Sequence, residues 1–250
     1  SSPYDLDGTN SVSSRPIWHY DAAKINGVDT SGNPADAGSL TSQWKSKVGD
    51  GYDLAVQTDT NLQPTWHSSG ENSMPYVDFD GGDKLVNDKL YPRSGGGVGW
   101  FQVMKSDDGL WAGSGGFNHG IFTRRSGDLL YYYTSSALGY NGTGNNSGLT
   151  SLSSSTRMLL FEKPNTTNPS FLYVDGDNAQ GSTGSGASTY SIPFDGFGSG
   201  LAGVNGKVYE MALWAGDGFN ATSGPLSTTD KNALIDYVEN KYSLLGFTDF

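Results

Sequence analysis

Gly203-Val-Asn-Gly-Lys-Val-Tyr-Glu-Met-Ala-Leu-Trp214, then Leu226-Ser-Thr-Thr-Asp230, then Tyr237-Val-Glu-Asn-Lys-Tyr242: these three stretches decide the fold. The first is rich in β-branched and aromatic residues and reads as a strand. The last two read as one helix whose Leu234, Tyr237, Val238 and Tyr242 recur at i, i+3/i+4 and share one apolar face. Ser227 stands where an N-cap is needed, with Asp230 three residues on, a capping box with Asp in place of Glu. A long strand followed by one closing helix, at the end of a chain that otherwise alternates short strands with turns, predicts an all-β domain with a short C-terminal α-helix.

Working outward, the rest of the chain carries the same signal. Strands are predicted at 76–79, 98–105, 109–112, 120–124, 129–134, 157–162, 171–175, 189–192 and 207–214, separated by Gly, Ser, Asn and Asp. The 36 glycines among 250 residues supply turns that need positive φ, and 14 Tyr, 11 Phe and 6 Trp are too many for a disordered chain. Residues 1–15 read as a polar N-terminal arm and 16–250 as a single domain, with no linker or repeat between.

The net charge of −11 excludes a phosphate-tracking surface, so nucleic acid is not an expected partner. No apolar run of about 18 residues is present, so membrane insertion by a helix is not expected either. The chain has no cysteine, which removes thiolate metal sites and cysteine nucleophiles.

Several segments, in order, resemble the concanavalin A-like lectin/glucanase superfamily, in its bacterial and bacteriophage laminin-G-like form. They are Pro16-Ile-Trp-His-Tyr-Asp-Ala22, Trp44 with Gly49-Asp-Gly51, Pro75-Tyr-Val-Asp-Phe-Asp-Gly81 and Phe171-Leu-Tyr-Val-Asp-Gly176. Gly206 to Trp214 and Ser227 to Tyr242 complete the set. The resemblance implies a two-sheet antiparallel jelly-roll sandwich and often carbohydrate binding, but no particular activity.

Glucanases on this scaffold carry E-x-D-x-E on one strand, which puts alternate carboxylates on one face. The only glutamates in the chain are Glu71, Glu162, Glu210 and Glu239, none near another. The expectation is therefore no enzyme activity. Glu210 reads as a strand carboxylate satisfied by backbone or loop donors, and His19 and His67 have no metal-type spacing.

Sugar recognition uses aromatic faces beside hydrogen-bonding side chains, and Trp111, Phe117, His119, Arg124, Tyr131 and Tyr133 supply both types. Asp175, Asp177 and Asn178 place hard oxygen donors in one turn and form the candidate calcium site, though the same run is also an ordinary hairpin turn. Asp78 and Asp80, alternating on one strand face, are a weaker candidate.

The expected function is a non-catalytic recognition or structural module, either a bacteriophage virion component or an adhesin with glycan binding. Its expected place is extracellular or on a virion surface. Its partners would be glycans or virion and surface proteins, with a homo-oligomer open. The alternative is a secreted carbohydrate-active enzyme, a glycoside hydrolase or polysaccharide lyase, on the same scaffold.

Overall fold

A computed structural model describes residues 3–36, 43–49, 54–56, 59–83, 85–86, 90–91, 98–107, 120–123, 129–133, 138–140, 143–145, 155–163, 170–183, 192–193, 205–215 and 226–250. In chain order the strands begin with β1 (Tyr4–Asp5), β2 (Ser11–Val12), β3 (Trp18–Asp21), β4 (Gln43–Trp44), β5 (Leu54–Val56) and β6 (Thr65–His67). They continue with β7 (Tyr76–Asp80), β8 (Leu85–Val86), β9 (Leu90–Tyr91), β10 (Val98–Ser106), β11 (Gly120–Thr123), β12 (Leu129–Tyr133) and β13 (Leu138–Tyr140). The last are β14 (Thr143–Asn145), β15 (Arg157–Lys163), β16 (Ser170–Val174), β17 (Ala179–Thr183), β18 (Ile192–Pro193) and β19 (Asn205–Ala215), closed by helix α1 (Thr228–Tyr242). The strand expected at 109–112, and most of that at 189–192, lie outside the described residues.

The principal sheet has the order β17-β16-β15-β10-β19-β7-β6, all antiparallel, with β3 added to β19. At eleven residues β19 is long enough to take two partners on one edge. Its first half pairs with β7 through Asn205–Val208, and its second half with β3 through Glu210–Leu213. Smaller antiparallel sheets are formed by β11 to β14 and by β4, β5 and β8, and β9 pairs with β18. The architecture is an all-β sandwich with a short C-terminal helix.

Alternation along the principal sheet sends side chains to two apolar layers. Trp18, Tyr20, Phe79, Trp100, Phe161, Leu172, Met211 and Leu213 fill the inner layer with Trp44 and Trp66. Phe101, Val103, Leu160, Ala212 and Trp214 face the other way, onto Leu234, Ile235, Tyr237, Val238 and Tyr242 of the helix. The sheet is thus apolar on both faces, one closed by strands and the other by α1.

The helix starts as its sequence predicts: the Ser227 hydroxyl accepts from the Asp230 backbone N–H. The box is not reciprocal. The Asp230 carboxylate reaches across the chain to the backbone N–H and hydroxyl of Ser13, at 2.8 and 2.6 Å. That contact belongs to the segment that reads as a polar arm in sequence. In the structure β1 and β2 form a hairpin, with Leu6 and Val12 buried in the helix layer. The Ser14 carbonyl accepts from the Trp214 indole at 2.8 Å.

Candidate functional site

One residue of β19 escapes the alternation. Val103 pairs with Glu210 but Met104 pairs with Val208, so Tyr209 is the extra residue of a β-bulge. Tyr209 packs in the helix layer, and Glu210 points there too, onto Tyr237 and Tyr242. His19 and Asp21 of β3, in register with Ala212 and Glu210, complete a polar cluster between sheet and helix.

The hydrogen-bonding positions of Glu210 and Lys241 are filled. Glu210 Oε1 accepts from His19 Nε2 and from the Tyr237 hydroxyl, and its Oε2 from Tyr242 and Lys241, both at 2.8 Å. Lys241 donates its other two protons to Asp21 at 2.7 Å and to the Tyr237 oxygen at 2.9 Å. The Tyr4 hydroxyl donates to His19 Nδ1 at 3.0 Å, which leaves the proton on Nε2. Burial would raise the Glu210 carboxyl, but the Lys241 ammonium and the His19 bond outweigh it and hold it well below its usual range. Burial keeps His19 neutral. A carboxylate with four donors and no exposure has no lone pair for a substrate. Glu210 locks the helix to the sheet, through side chains rather than the backbone donors expected from sequence.

A second polar group lies on the same outer face, beyond the helix. Here β6, β7, β19 and β10 run side by side, with Thr65, Asp78, Lys207 and Lys105 in one cross-strand row. His67 stacks on Tyr76 at 4.8 Å between ring centres, and the Lys207 ammonium sits 4.8 Å from the Tyr76 ring centre. His67 Nε2 lies 3.9 Å from Asp78 Oδ2. The other oxygen, Asp78 Oδ1, is buried with no hydrogen-bond partner. Burial raises the Asp78 pKa and the neighbouring Asp107 carboxylate raises it further, against the pull of His67 and Lys207. Asp80 is used differently: its Oδ1 accepts from the Gly82 and Asp83 N–H groups and pins the turn after β7.

The two clusters are joined by rings. Tyr242 meets Tyr209 edge-on at 5.5 Å, and Tyr209 lies 5.5 Å from Tyr76. A β-carbon on Gly70 would come within 2.6 Å of both the Tyr209 hydroxyl and the Tyr76 ring, so only glycine lets the 70–74 turn approach this row. The Tyr209 hydroxyl then accepts from the Glu71 N–H at 3.0 Å.

Of the residues singled out from sequence, Trp111, Phe117, His119 and Arg124 lie outside the described residues. Tyr131 and Tyr133 stand on β12, which is described by its backbone alone. Asp175, Asp177 and Asn178 share the turn between β16 and β17, held by the chain's own C-terminal segment. Thr248 donates to the Asp175 carbonyl at 3.1 Å and accepts from Asp177 N–H at 2.7 Å. The Asp175 carboxylate takes the Arg157 guanidinium at 2.6 Å and the Met158 N–H at 3.0 Å, while Asp177 and Asn178 are exposed. Among the described residues no group of three or more His, Asp or Glu side chains is arranged to hold a metal. Sequence spacing does not connect Asp107 or His67 with Asp78, because they meet it only through strand pairing.

No family model matches the sequence, and no curated protein matches it. Solved structures do. Trypanosoma rangeli sialidase in complex with 2,3-difluorosialic acid is similar at a TM-score of 0.53 and 14% identity, over 88% of this chain and 32% of that one. An arabinofuranosidase complexed with arabinofuranosyl-alpha-1,2-xylobiose is similar at 0.53 and 15% identity, over 83% of this chain and 52% of that one. The chain therefore spans a third to a half of the length of these proteins.

These likenesses are of fold, and they correct two expectations. The sequence points to a non-catalytic virion or adhesin module, yet the solved structures that share its fold are a sialidase and an arabinofuranosidase, each matched over a third to a half of its length. The expectation of no enzyme activity falls with it. It rests on the missing E-x-D-x-E run, but a sheet also brings together carboxylates far apart in sequence, as it does Asp78 of β7 and Asp107 just after β10. The β-sandwich of this chain is a fold that it shares with carbohydrate-active enzymes.

Proposed function

We propose that this chain is the β-sandwich unit of a carbohydrate-active enzyme working on extracellular glycans, with its acid–base chemistry in the outer-face row around Asp78. The observation that carries this is the Asp78 carboxylate. One oxygen is buried and unpartnered, and burial and Asp107 both favour its protonated form. A carboxyl that holds its proton more tightly than a free aspartate can donate it to a glycosidic oxygen, while a second carboxylate nearby acts as base or nucleophile. Asp78 takes the acid role in this reading and Asp107 the second. His67 and Lys207, both beside Asp78, steady the charge left after proton transfer.

The laminin-G-like form of the concanavalin A-like scaffold is part of the same proposal. Most of the motif residues that carried the resemblance fall on β3, β7, β16, β19 and α1, where they build the sheet and its helix lock, while Trp44 stands on β4 and fills the inner layer. In such a scaffold the lock holds the frame and the chemistry sits on its surface.

Reducing-sugar release from a panel of polysaccharides tests the reading. The intact chain is expected to release sugar. Asp78→Asn and Asp107→Asn are each expected to lose activity by about 100-fold or more, the usual weight of one acid–base group. Full turnover by both variants would remove the assignment.

A further inference from the structure

We infer that the outer-face row selects acidic sugars, the carboxylate of a uronic- or sialic-type residue lying between Lys105 and Lys207 while its glycosidic oxygen faces Asp78. This rests on the reading of that row as the catalytic surface and names the class of substrate it takes.

The charges of the row point to that class. Lys105 and Lys207 are directly opposed on neighbouring antiparallel strands. Opposed residues share a face with Cα atoms about 5 Å apart, and like charges there repel. The pairing is unusual in a chain of net charge −11 with only 15 Lys and Arg. Lys207 is partly compensated, since it lies over the Tyr76 ring and is held in its charged form by Tyr76, Tyr209 and Asp107 against the effect of burial. Lys105 is half-buried and has no carboxylate partner among the described residues.

Asp78 follows Lys207 in the row on the other side. The order across the strands is cation, cation, carboxyl. A single anionic group set between the two lysines relieves their repulsion and accepts from both, at the strength of charge-assisted hydrogen bonds. One strand spacing, about 4.8 Å, separates Lys207 from Asp78. That is the scale of a sugar ring, whose carboxylate and glycosidic oxygen sit close together on one side. A neutral sugar would leave the lysine pair as it is and gain nothing from it.

The test uses matched pairs of glycans differing in the acidic group: trigalacturonate against galactotriose, and sialyllactose against lactose. Binding is read by calorimetry at low and at high salt, and turnover by sugar release. At least one acidic member is expected to bind about tenfold or more tightly than its neutral partner, with the advantage shrinking in high salt. Lys105→Gln should remove about tenfold of that preference at an unchanged melting temperature. Equal binding or cleavage within both pairs would overturn the acidic-sugar inference and leave the enzyme reading standing. An acidic preference that Lys105→Gln and Lys207→Gln both leave intact would overturn it also. No binding and no cleavage of any member or of the polysaccharide panel would end both.

Discussion

At the scale of single residues, Glu210 and Asp78 show how one functional group serves opposite ends. Both are carboxylates on antiparallel strands of one sheet, facing the same side. Glu210 has four donors and is held ionised; Asp78 has a buried oxygen with none and is pushed toward its neutral form. Removing one partner from a filled, buried ionic cluster leaves an uncompensated charge, at a cost of about 3–5 kcal/mol. Lys241→Met, which strands both Glu210 and Asp21, is therefore expected to lower unfolding free energy by about that amount in urea titrations. A loss under ~1 kcal/mol would mean the lysine is not the charge that holds the cluster. In sequence, Glu210 is legible only as a satisfied strand residue. Its donors His19, Lys241, Tyr237 and Tyr242 come from two distant elements, and the bulge that turns it toward them leaves no mark in the alternation pattern. Asp78 stands out in sequence because it alternates with Asp80, but strand pairing, not spacing, separates their roles.

At the scale of elements, the helix and β19 are the most legible parts, because an amphipathic period and a cap are local signals. Leu234, Tyr237, Val238 and Tyr242 are all buried, as their spacing requires. Leu234→Ala is expected to destabilise by about 2–5 kcal/mol, and Ser227→Ala by about 1 kcal/mol through loss of the cap. Equal effects from the two in thermal melts would contradict that ranking of core packing over capping. The short strands β6 and β17 are not legible: runs as brief as Thr65-Trp-His67 carry too little pattern, and only their neighbours make them strands. The turn at Asp175–Asn178 resembles a ligand loop because its residues are oxygen-rich. Its conformation instead reflects backbone bonds to the C-terminal segment around Thr248. A β-carbon on Gly176, at φ +94°, would meet the Thr248 carbonyl oxygen at 1.9 Å. Gly176→Ala should free that segment, seen as faster amide exchange at Thr248 and Asp177. Unchanged protection there would contradict the clamp.

At the scale of the whole molecule, the outer face is divided between a lock under the helix and an open polar row beside it, with tyrosine rings between them. Proton linkage distinguishes the face's carboxyls. Burial lifts Glu162 from 4.5 to about 7 despite Lys231 beside it, so the folded chain binds its proton more tightly than the unfolded chain. Its contribution is complete below pH 4.5 and is lost as pH rises through about 7. Glu162→Gln should therefore flatten the decline in urea midpoint over that window. Parallel curves for variant and parent would show that Glu162 does not titrate there. Fold class is legible at this scale because composition, turns and the closing helix agree. Function is not, because the surface that the fold assembles draws on β6, β7, β10 and β19, which no local motif joins.

In the proposed reading, chemistry in the outer-face row and frame-holding in the buried cluster are separable roles. Sugar release per folded molecule, measured side by side for the parent chain, Asp78→Asn and Glu210→Gln, tests that separation most directly. Asp78→Asn is expected to keep its melting temperature and lose turnover, and Glu210→Gln to melt lower while its folded fraction keeps turnover. Turnover that survives Asp78→Asn and disappears with Glu210→Gln in still-folded protein would contradict the assignment.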